Sequence, residues 1–148
     1  MSIILKGKPV ADYITQNIKT EAEQLTLKGV PPKLITIRVG ERHEDIAYEQ
    51  SAVKRMEKCG IIADVCALDA NCSTEDLLRL LRRKNEDNTV HGILIFQPLP
   101  RHIDTAVIRN EISRIKDVDC IIRRAARKCI WTIKTRIFRQ RPEPLWKF

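Results

Sequence analysis

Residues 33–40 read KLITIRVG, an apolar run rich in β-branched side chains that ends at a glycine. The runs IIADVCAL at 61–68 and GILIF at 92–96 have the same character. Short continuous apolar runs are typical of strands buried on both faces of a parallel sheet, whereas half-exposed strands alternate apolar and polar residues. The sequence therefore predicts three buried, parallel strands at 33–39, 61–68 and 92–96.

Helical segments lie before, between and after these strands. The segment from Ser73 begins with a capping box in which Asp76 replaces the usual glutamate, and leucines follow at helical spacing. Gly29 and Gly60 mark the expected ends of two earlier helices. The predicted helices span residues 12–28, 44–59, 73–84 and 104–112. Strands that alternate with helices through short links predict an α/β fold, a three-layer parallel sheet with helices on both faces.

In such folds ligands bind beyond the carboxyl ends of the strands. The third predicted strand is followed by QPLP at 97–100. Two prolines around a leucine form a stiff, extended wall with few free N–H groups. The same pattern also serves as an ordinary loop that ends a strand, so local chemistry leaves both interpretations open.

Several motifs, in their order and spacing, resemble a known family. VHGIL, PLP, HID and KDVD follow one another within residues 90–119, and LITIRVG with the helix after it precedes them at 34–61. Together they resemble the N-terminal, substrate-binding half of bifunctional methylenetetrahydrofolate dehydrogenase/cyclohydrolase, from about residue 7 to residue 119. The resemblance implies NAD(P)-dependent oxidation of 5,10-methylenetetrahydrofolate to the methenyl form. It also implies hydrolysis of the methenyl form to 10-formyltetrahydrofolate.

The resemblance assigns residues to a folate cleft. Tyr48 matches the active-site tyrosine that flanks the folate, and Asp119 matches the aspartate that holds the pterin ring, so these two are the candidate catalytic residues. A carboxylate can hold adjacent ring nitrogens through charge-assisted hydrogen bonds, and a tyrosine offers an apolar face with a polar tip. With Tyr48 and Asp119, the predicted substrate-binding residues are Gln97, Pro98, Leu99 and Pro100.

Two positions depart from the family pattern. The family's catalytic lysine lies one helical turn after the tyrosine, but Ala52 occupies that position here. Lys54 lies about 240° round the helix from Tyr48 and matches a different, non-catalytic lysine. The glutamine that hydrogen-bonds the catalytic lysine is replaced by Phe96, and Gln97, one position later, points to the opposite face of a strand.

The changes at Ala52 and Phe96 affect the expected cyclohydrolase activity more than the expected dehydrogenase activity. Hydrolysis needs a positioned proton-transfer group, whereas hydride transfer depends on orientation and on the chemistry of the cofactor. We therefore expect the full-length enzyme to be a dehydrogenase with weak or absent cyclohydrolase activity. Asp45, where the family often has serine, and Cys120, where it has glycine, are smaller departures.

The chain changes character at Cys120. Residues 120–148 contain nine Lys or Arg and one acidic residue, whereas residues 1–119 contain 18 basic and 18 acidic residues, so the tail carries the whole net charge of +8. No glycine follows Gly92, although the family continues into a nucleotide-binding domain with a glycine-rich phosphate loop. We therefore expect a substrate-binding domain at 1–119, a basic tail of unrelated character at 120–148, and no NAD(P)-binding domain.

Three interpretations of the tail stay open. It could be a basic arm that binds nucleic acid, with Trp131 and Trp146 for stacking. It could be a basic amphipathic helix with Ile130, Ile133 and Ile137 on one side. It could also be translated out of frame after about residue 120, which we favour because this accounts for the abrupt boundary and the unusual composition together. A non-catalytic basic module, binding nucleic acid or an anionic surface through the tail, is the alternative function.

Hydropathy, the N-terminal residues and the cysteines predict the localisation of the protein and whether it binds metal. No apolar run approaches the ~20 residues of a membrane span, and the first residues show no signal-peptide cleavage site. Five cysteines without a CxxC pair predict reduced thiols, a cytoplasmic protein and no metal site. The expected partner is a folate substrate rather than nucleic acid or a membrane, and the family implies a homodimer. NAD or NADP is expected to bind the full-length enzyme and not this chain alone.

Overall fold

The computed structural model describes residues 7–121. Its elements in chain order are α1 (Gly7–Leu27), β1 (Lys33–Val39), α2 (His43–Lys58), β2 (Ile62–Leu68), α3 (Thr74–Glu86), β3 (Gly92–Ile95) and α4 (Thr105–Glu111). The three strands form one parallel sheet in the order β2-β1-β3. The predicted α/β fold, a parallel sheet flanked by helices, is confirmed, and the main difference in bounds is that α1 begins at Gly7 rather than at residue 12.

The hydrophobic core lies between one face of the sheet and helices α3 and α4. Its fully buried members within these elements are Ile35, Ile37, Leu77, Leu81, Ile93, Ile95 and Ile108, and Val90, just before β3, is also fully buried. The start of α3 is fixed by the predicted capping box, since Ser73 Oγ accepts from the Asp76 amide and the Ser73 amide donates to the Asp76 carboxylate, both at 3.1 Å. That start orients the leucine face of α3 toward the sheet.

Helix α2 is joined to β1 by a buried ion pair. Arg38 Nε lies 3.4 Å from Glu49 Oε2, and the two side chains are only 11% and 8% exposed. The Arg38 guanidinium also donates to the carbonyl of Gly40. Movement of α2 away from β1 would separate the pair and leave a buried charge without its partner, which is strongly destabilising. The pair therefore fixes the position of α2, and with it that of Tyr48, against the sheet.

Strand β2 is less buried than its sequence predicted. Ile62 and Val65 are each 46% exposed, and the rest of the strand is half-buried or exposed. The prediction of three fully buried strands is therefore wrong for β2. The physical reason is that β2 and β3 are both outer strands, but among the described residues only β3 has a further segment, at Asp117, bridged to its far side. An apolar run does not show which outer strand will be covered.

Two further points concern membrane-spanning helices and the basic tail. Within residues 7–121, no helix combines the length and the apolar composition needed to cross a lipid bilayer. The features predicted for the basic tail, including Trp131, Trp146 and the isoleucines at 130, 133 and 137, lie outside the described residues. The alternative function as a basic binding module therefore stays a prediction.

Candidate functional site

A cavity of about 380 Å³ opens where β3 ends beside α2. It is lined by Glu44, Asp45, Tyr48, Leu94, Ile95, Phe96, Gln97 and Asp119. Three of the predicted site residues are among them: Tyr48 from α2, Gln97 from just beyond β3, and Asp119 from the turn near the end of the described chain. The fold thus brings together side chains that are far apart in sequence, at the carboxyl end of a parallel strand where ligands are expected.

Tyr48 lies over Phe96 at the mouth of this cavity. The two ring centroids are 5.6 Å apart with an interplanar angle of 79°, the edge-to-face arrangement that aromatic quadrupoles favour. Phe96 is 8% exposed and Tyr48 is 61% exposed. The buried phenylalanine therefore supports the tyrosine ring and leaves much of its surface open to a ligand.

Residues 97–100 are divided between the cavity and the core. Gln97 lines the cavity and is joined to Pro98 by a cis peptide bond. Leu99 is buried in the hydrophobic core, and neither it nor the two prolines line the cavity. Direct contact of Pro98, Leu99 and Pro100 with a folate stays a prediction.

Ala52 stands where the resemblance implies a catalytic lysine. Ala52 is half-buried on α2, one turn after Tyr48, and Lys54 is exposed and lies outside the cavity lining. Among the described residues that line the cavity there is no Lys, Arg or His. The lining therefore provides carboxylates, an amide and a phenol as its polar groups.

The carboxylates of the cavity have different origins. Glu44 and Asp45 belong to the first turn of α2, where negative charge is favoured by the helix dipole, and Asp45 also lies 3.7 Å from Arg42 Nε. Asp119 has no such role in a helix. It is exposed and lies outside the described helices.

Asp119 is carried by a turn with fixed ends. The Ile93 amide donates to the Lys116 carbonyl at 2.7 Å, and Ile93 forms a parallel bridge with Asp117. The Ile121 amide donates to Asp117 Oδ1 at 3.1 Å, which closes the turn around Asp119. Cys120 has a φ of 54°, a left-handed backbone conformation that favours glycine. Cys120 is therefore less favourable at this position than the glycine of the family pattern.

A second cavity and the His, Cys, Asp and Glu side chains of the described residues give no further candidate site. A second cavity of about 400 Å³ lies beyond the ends of β1 and β2, and none of the predicted site residues lines it. Within the described part of the chain, no group of three His, Cys, Asp or Glu side chains could hold a metal ion. The three cavity carboxylates therefore do not form a metal centre.

Sequence reasoning missed two contributors to this site. The ring support provided by Phe96 was not predicted, because that residue was noted only as a replacement for glutamine. The anchoring of the turn at Lys116 was also missed. A lysine one residue before Asp117 and three before Asp119 carries no local signal of its contacts.

The fold and the cavity define a parallel α/β domain with a small-molecule-sized cavity at the carboxyl end of β3. The family described as tetrahydrofolate dehydrogenase/cyclohydrolase, catalytic domain, matches residues 5–119, and the chain belongs to this family. The resemblance stated from the motifs is thereby confirmed.

Three relatives illustrate the match. The bifunctional protein FolD of Alkaliphilus oremlandii is 46% identical over 121 residues, which cover 82% of this chain and 42% of the relative. A 5,10-methylenetetrahydrofolate dehydrogenase from the silkworm Bombyx mori superposes with a TM-score of 0.80 at 30% identity, covering 88% of this chain and 46% of that one. The Trypanosoma brucei dehydrogenase-cyclohydrolase, complexed with NADP and an inhibitor, gives 0.74 at 33% identity, covering 80% and 41%. This chain spans about two fifths of the length of the curated relatives it matches.

Proposed function

We propose that residues 1–119 are the substrate-binding domain of an NAD(P)-dependent 5,10-methylenetetrahydrofolate dehydrogenase. The observation that carries this proposal is the meeting of Tyr48, Gln97 and Asp119 in one cavity at the end of β3. A cavity of about 380 Å³ lies within the usual range for small-molecule sites. It is large enough for the pterin end of a folate, with the rest of the ligand extending into solvent.

Each lining group has a role in this proposal. The Asp119 carboxylate accepts two hydrogen bonds from adjacent N–H groups of the pterin ring, a pairing that charge makes stronger than neutral hydrogen bonds. The exposed ring of Tyr48, supported by Phe96, covers one side of the folate. Gln97 offers both a donor and an acceptor to the remaining polar edge.

The nicotinamide cofactor belongs outside the described residues in this proposal. Oxidation of the folate is hydride transfer, and the cofactor supplies that chemistry when it is bound. Residues 7–121 contain no glycine-rich loop that opens a helix, the device that binds dinucleotide phosphates. We expect these residues to bind folate weakly at best and to transfer no hydride, and we place the homodimer implied by the family in the longer enzyme.

The domain boundary at 119/120 is part of the proposal. The match to the family's catalytic domain ends at residue 119, where the proposed domain boundary lies. Sequencing the source DNA across codons 115–130 and translating all three frames tests the out-of-frame interpretation. A glycine-rich nucleotide-binding domain in another frame supports it, and a confirmed frame without one contradicts it.

Weak or absent cyclohydrolase activity follows from the lining of the cavity. Ala52 provides no proton-transfer group, and Lys54 lies outside the cavity. Hydrolysis of 5,10-methenyltetrahydrofolate needs no nicotinamide cofactor, so it can be measured with this chain. We expect the rate with the chain to equal the rate in buffer. A clear acceleration would contradict the assignment.

Binding of 5-formyltetrahydrofolate, a stable folate, tests the proposed function. Asp119→Asn removes the charge from the pterin contact, and we expect a tenfold or greater loss of affinity, about 1.4 kcal/mol or more. Asp12→Asn makes the same chemical change at an exposed position of α1 and serves as the control. Equal affinities of the two variants would overturn the role of Asp119.

A further inference from the structure

Lys116 is a buried cation whose side-chain hydrogen-bond acceptors, within residues 7–121, are all backbone carbonyls. The residue is 7% exposed, and its Nζ donates to the carbonyls of Lys84 at 3.0 Å, Asn85 at 2.7 Å and Asp87 at 2.7 Å. An ammonium group has three donors, so all of them are used. The acceptors lie at the carboxyl end of α3, where carbonyls lack helical partners and carry partial negative charge.

Asn85 ties the same helix end to the segment that precedes Lys116. Its Oδ1 accepts from the Ser113 amide at 3.0 Å, and its Nδ2 donates to the Glu111 carbonyl at 2.7 Å. The Lys116 amide in turn donates to the Ser113 carbonyl at 2.9 Å. The end of α3 therefore holds the chain from residue 111 to residue 116 at several points.

This anchored segment leads directly into the turn that carries Asp119. The Lys116 carbonyl accepts from Ile93 of β3, and Asp117 closes the turn through Ile121. Asp119 lies three residues after Lys116, at the mouth of the cavity. The path of the turn is thus set on one side by β3 and on the other by the end of α3.

We propose that Lys116, together with Asn85, is a positioning residue for Asp119. By holding the start of the turn to the end of α3, Lys116 sets where the Asp119 carboxylate lies at the cavity, and so determines how well a pterin ring is recognised. This inference rests on the proposed function. It predicts that Lys116 affects recognition of the pterin ring, which Asp119 contacts, and not recognition of the rest of the ligand.

The cost of burying Lys116 supports this role. Removing an ammonium group from water is unfavourable unless its hydrogen bonds are replaced. An apolar side chain could fill the same space, but it would leave three carbonyls at the end of α3 without this donor. The lysine provides a directional link between α3 and the turn that no apolar residue could provide.

Two ligands and a double-mutant cycle test the proposal. The probes are 5-formyltetrahydrofolate and p-aminobenzoylglutamate, which lacks the pterin ring. We expect Lys116→Met to weaken binding of 5-formyltetrahydrofolate about tenfold or more, and to leave p-aminobenzoylglutamate binding unchanged. In the Asp119→Asn background, Lys116→Met should cause no further loss, because the contact it positions is already gone. Lys19→Met, on the exposed part of α1, is the control.

Other outcomes would overturn the proposal. Equal loss of both ligands, or a loss that adds fully to that of Asp119→Asn, would show that Lys116 only supports the fold. Unchanged affinity for 5-formyltetrahydrofolate would show that it has no role in recognition. If Lys116→Met does not fold, Lys116→Arg keeps the charge and donors in an altered geometry. Its loss should be smaller and should also vanish in the Asp119→Asn background.

Hydrogen exchange separates failure of this inference from failure of the proposed function. In the ligand-free chain, Lys116→Met or Lys116→Arg should speed exchange of the Ile121 amide, which closes the turn, while the β1 amides keep their protection. Unchanged protection of Ile121 would overturn the positioning role. Failure of the unmutated chain to bind 5-formyltetrahydrofolate would overturn the proposed function, whatever the exchange of Ile121 shows.

Discussion

Strands β2 and β3 both pair with the central strand β1, yet they differ in burial. Every residue of Gly92–Ile95 is buried, whereas β2 leaves Ile62 and Val65 half-exposed. On the far side of β3 lies the segment around Lys116 and Asp117, which bridges to Ile93. The cavity opens at the end of the buried strand. The covered half of the sheet thus provides the rigid support that a binding site needs.

The ion pair between β1 and α2 is expected to give the largest effect on stability. Glu49→Ala leaves Arg38 buried without its carboxylate, and we expect a loss of about 3–5 kcal/mol in the free energy of unfolding. Glu23→Ala breaks the exposed pair with Lys19 and should cost about 1 kcal/mol or less. Urea unfolding measures both. Similar losses for the two variants would show that the buried pair does not hold α2 in place.

Matched isoleucines compare the two strands directly. Ile93→Ala removes a fully buried side chain of β3 and should cost about 2–5 kcal/mol. Ile62→Ala makes the same change in β2, where the side chain is half-exposed, and should cost about 1 kcal/mol or less. Urea unfolding of both variants gives the difference. Equal costs would show that the two strands are equally covered in solution.

Gly92, the first residue of β3, lies close to the turn that carries Asp119. A Cβ at this position would lie 2.5 Å from Leu34 Cδ1 and 2.7 Å from Val118 Cγ1, so both side chains must move. We expect Gly92→Ala to cost about 1–3 kcal/mol through overpacking and to weaken binding of 5-formyltetrahydrofolate, because Val118 precedes Asp119. Gly7→Ala meets no atom within 4 Å and is the control. Unchanged affinity in Gly92→Ala would show that the turn tolerates displacement.

The capping box of α3 is expected to give the smallest effect, and a pH-dependent one. Hydrogen bonds from the side chain and backbone of Ser73, helped by Arg79, lower the pKa of Asp76 below its ordinary value of 3.8. Asp76 therefore contributes stability at neutral pH, and this contribution is lost as pH falls through the lowered pKa. The difference in melting temperature between the wild-type chain and Asp76→Asn should shrink in acid. A constant difference from neutral pH to about pH 3 would contradict this linkage.

The features predicted correctly from sequence are those that depend on neighbouring residues. The capping box at Ser73 and Asp76 lies within four residues, and the β-branched run of β1 marks its strand without reference to the rest of the chain. The exposure of β2 was missed because it depends on which outer strand another segment of the chain covers. The contacts of Lys116 were missed because its acceptors lie about thirty residues away and are backbone carbonyls, which have no residue signature.

The candidate site was predicted through resemblance rather than through spacing. Tyr48 and Asp119 were named from the family motifs, and the fold places both in one cavity. The acidic character of its lining could not be predicted. The sequence marks Asp45 only as a departure from the family's serine and gives Glu44 no role, and only the fold shows that this helix start lies beside β3.

An NMR titration of the labelled chain with 5-formyltetrahydrofolate tests the central claim most directly. If the covered half of the sheet holds the folate, the amide signals that shift will be those near Tyr48, Gln97 and Asp119, while Ile62 and Val65 of β2 stay unchanged. Shifts centred on β2, or the absence of any shift at saturating ligand, would contradict the claim that this cavity is the folate site.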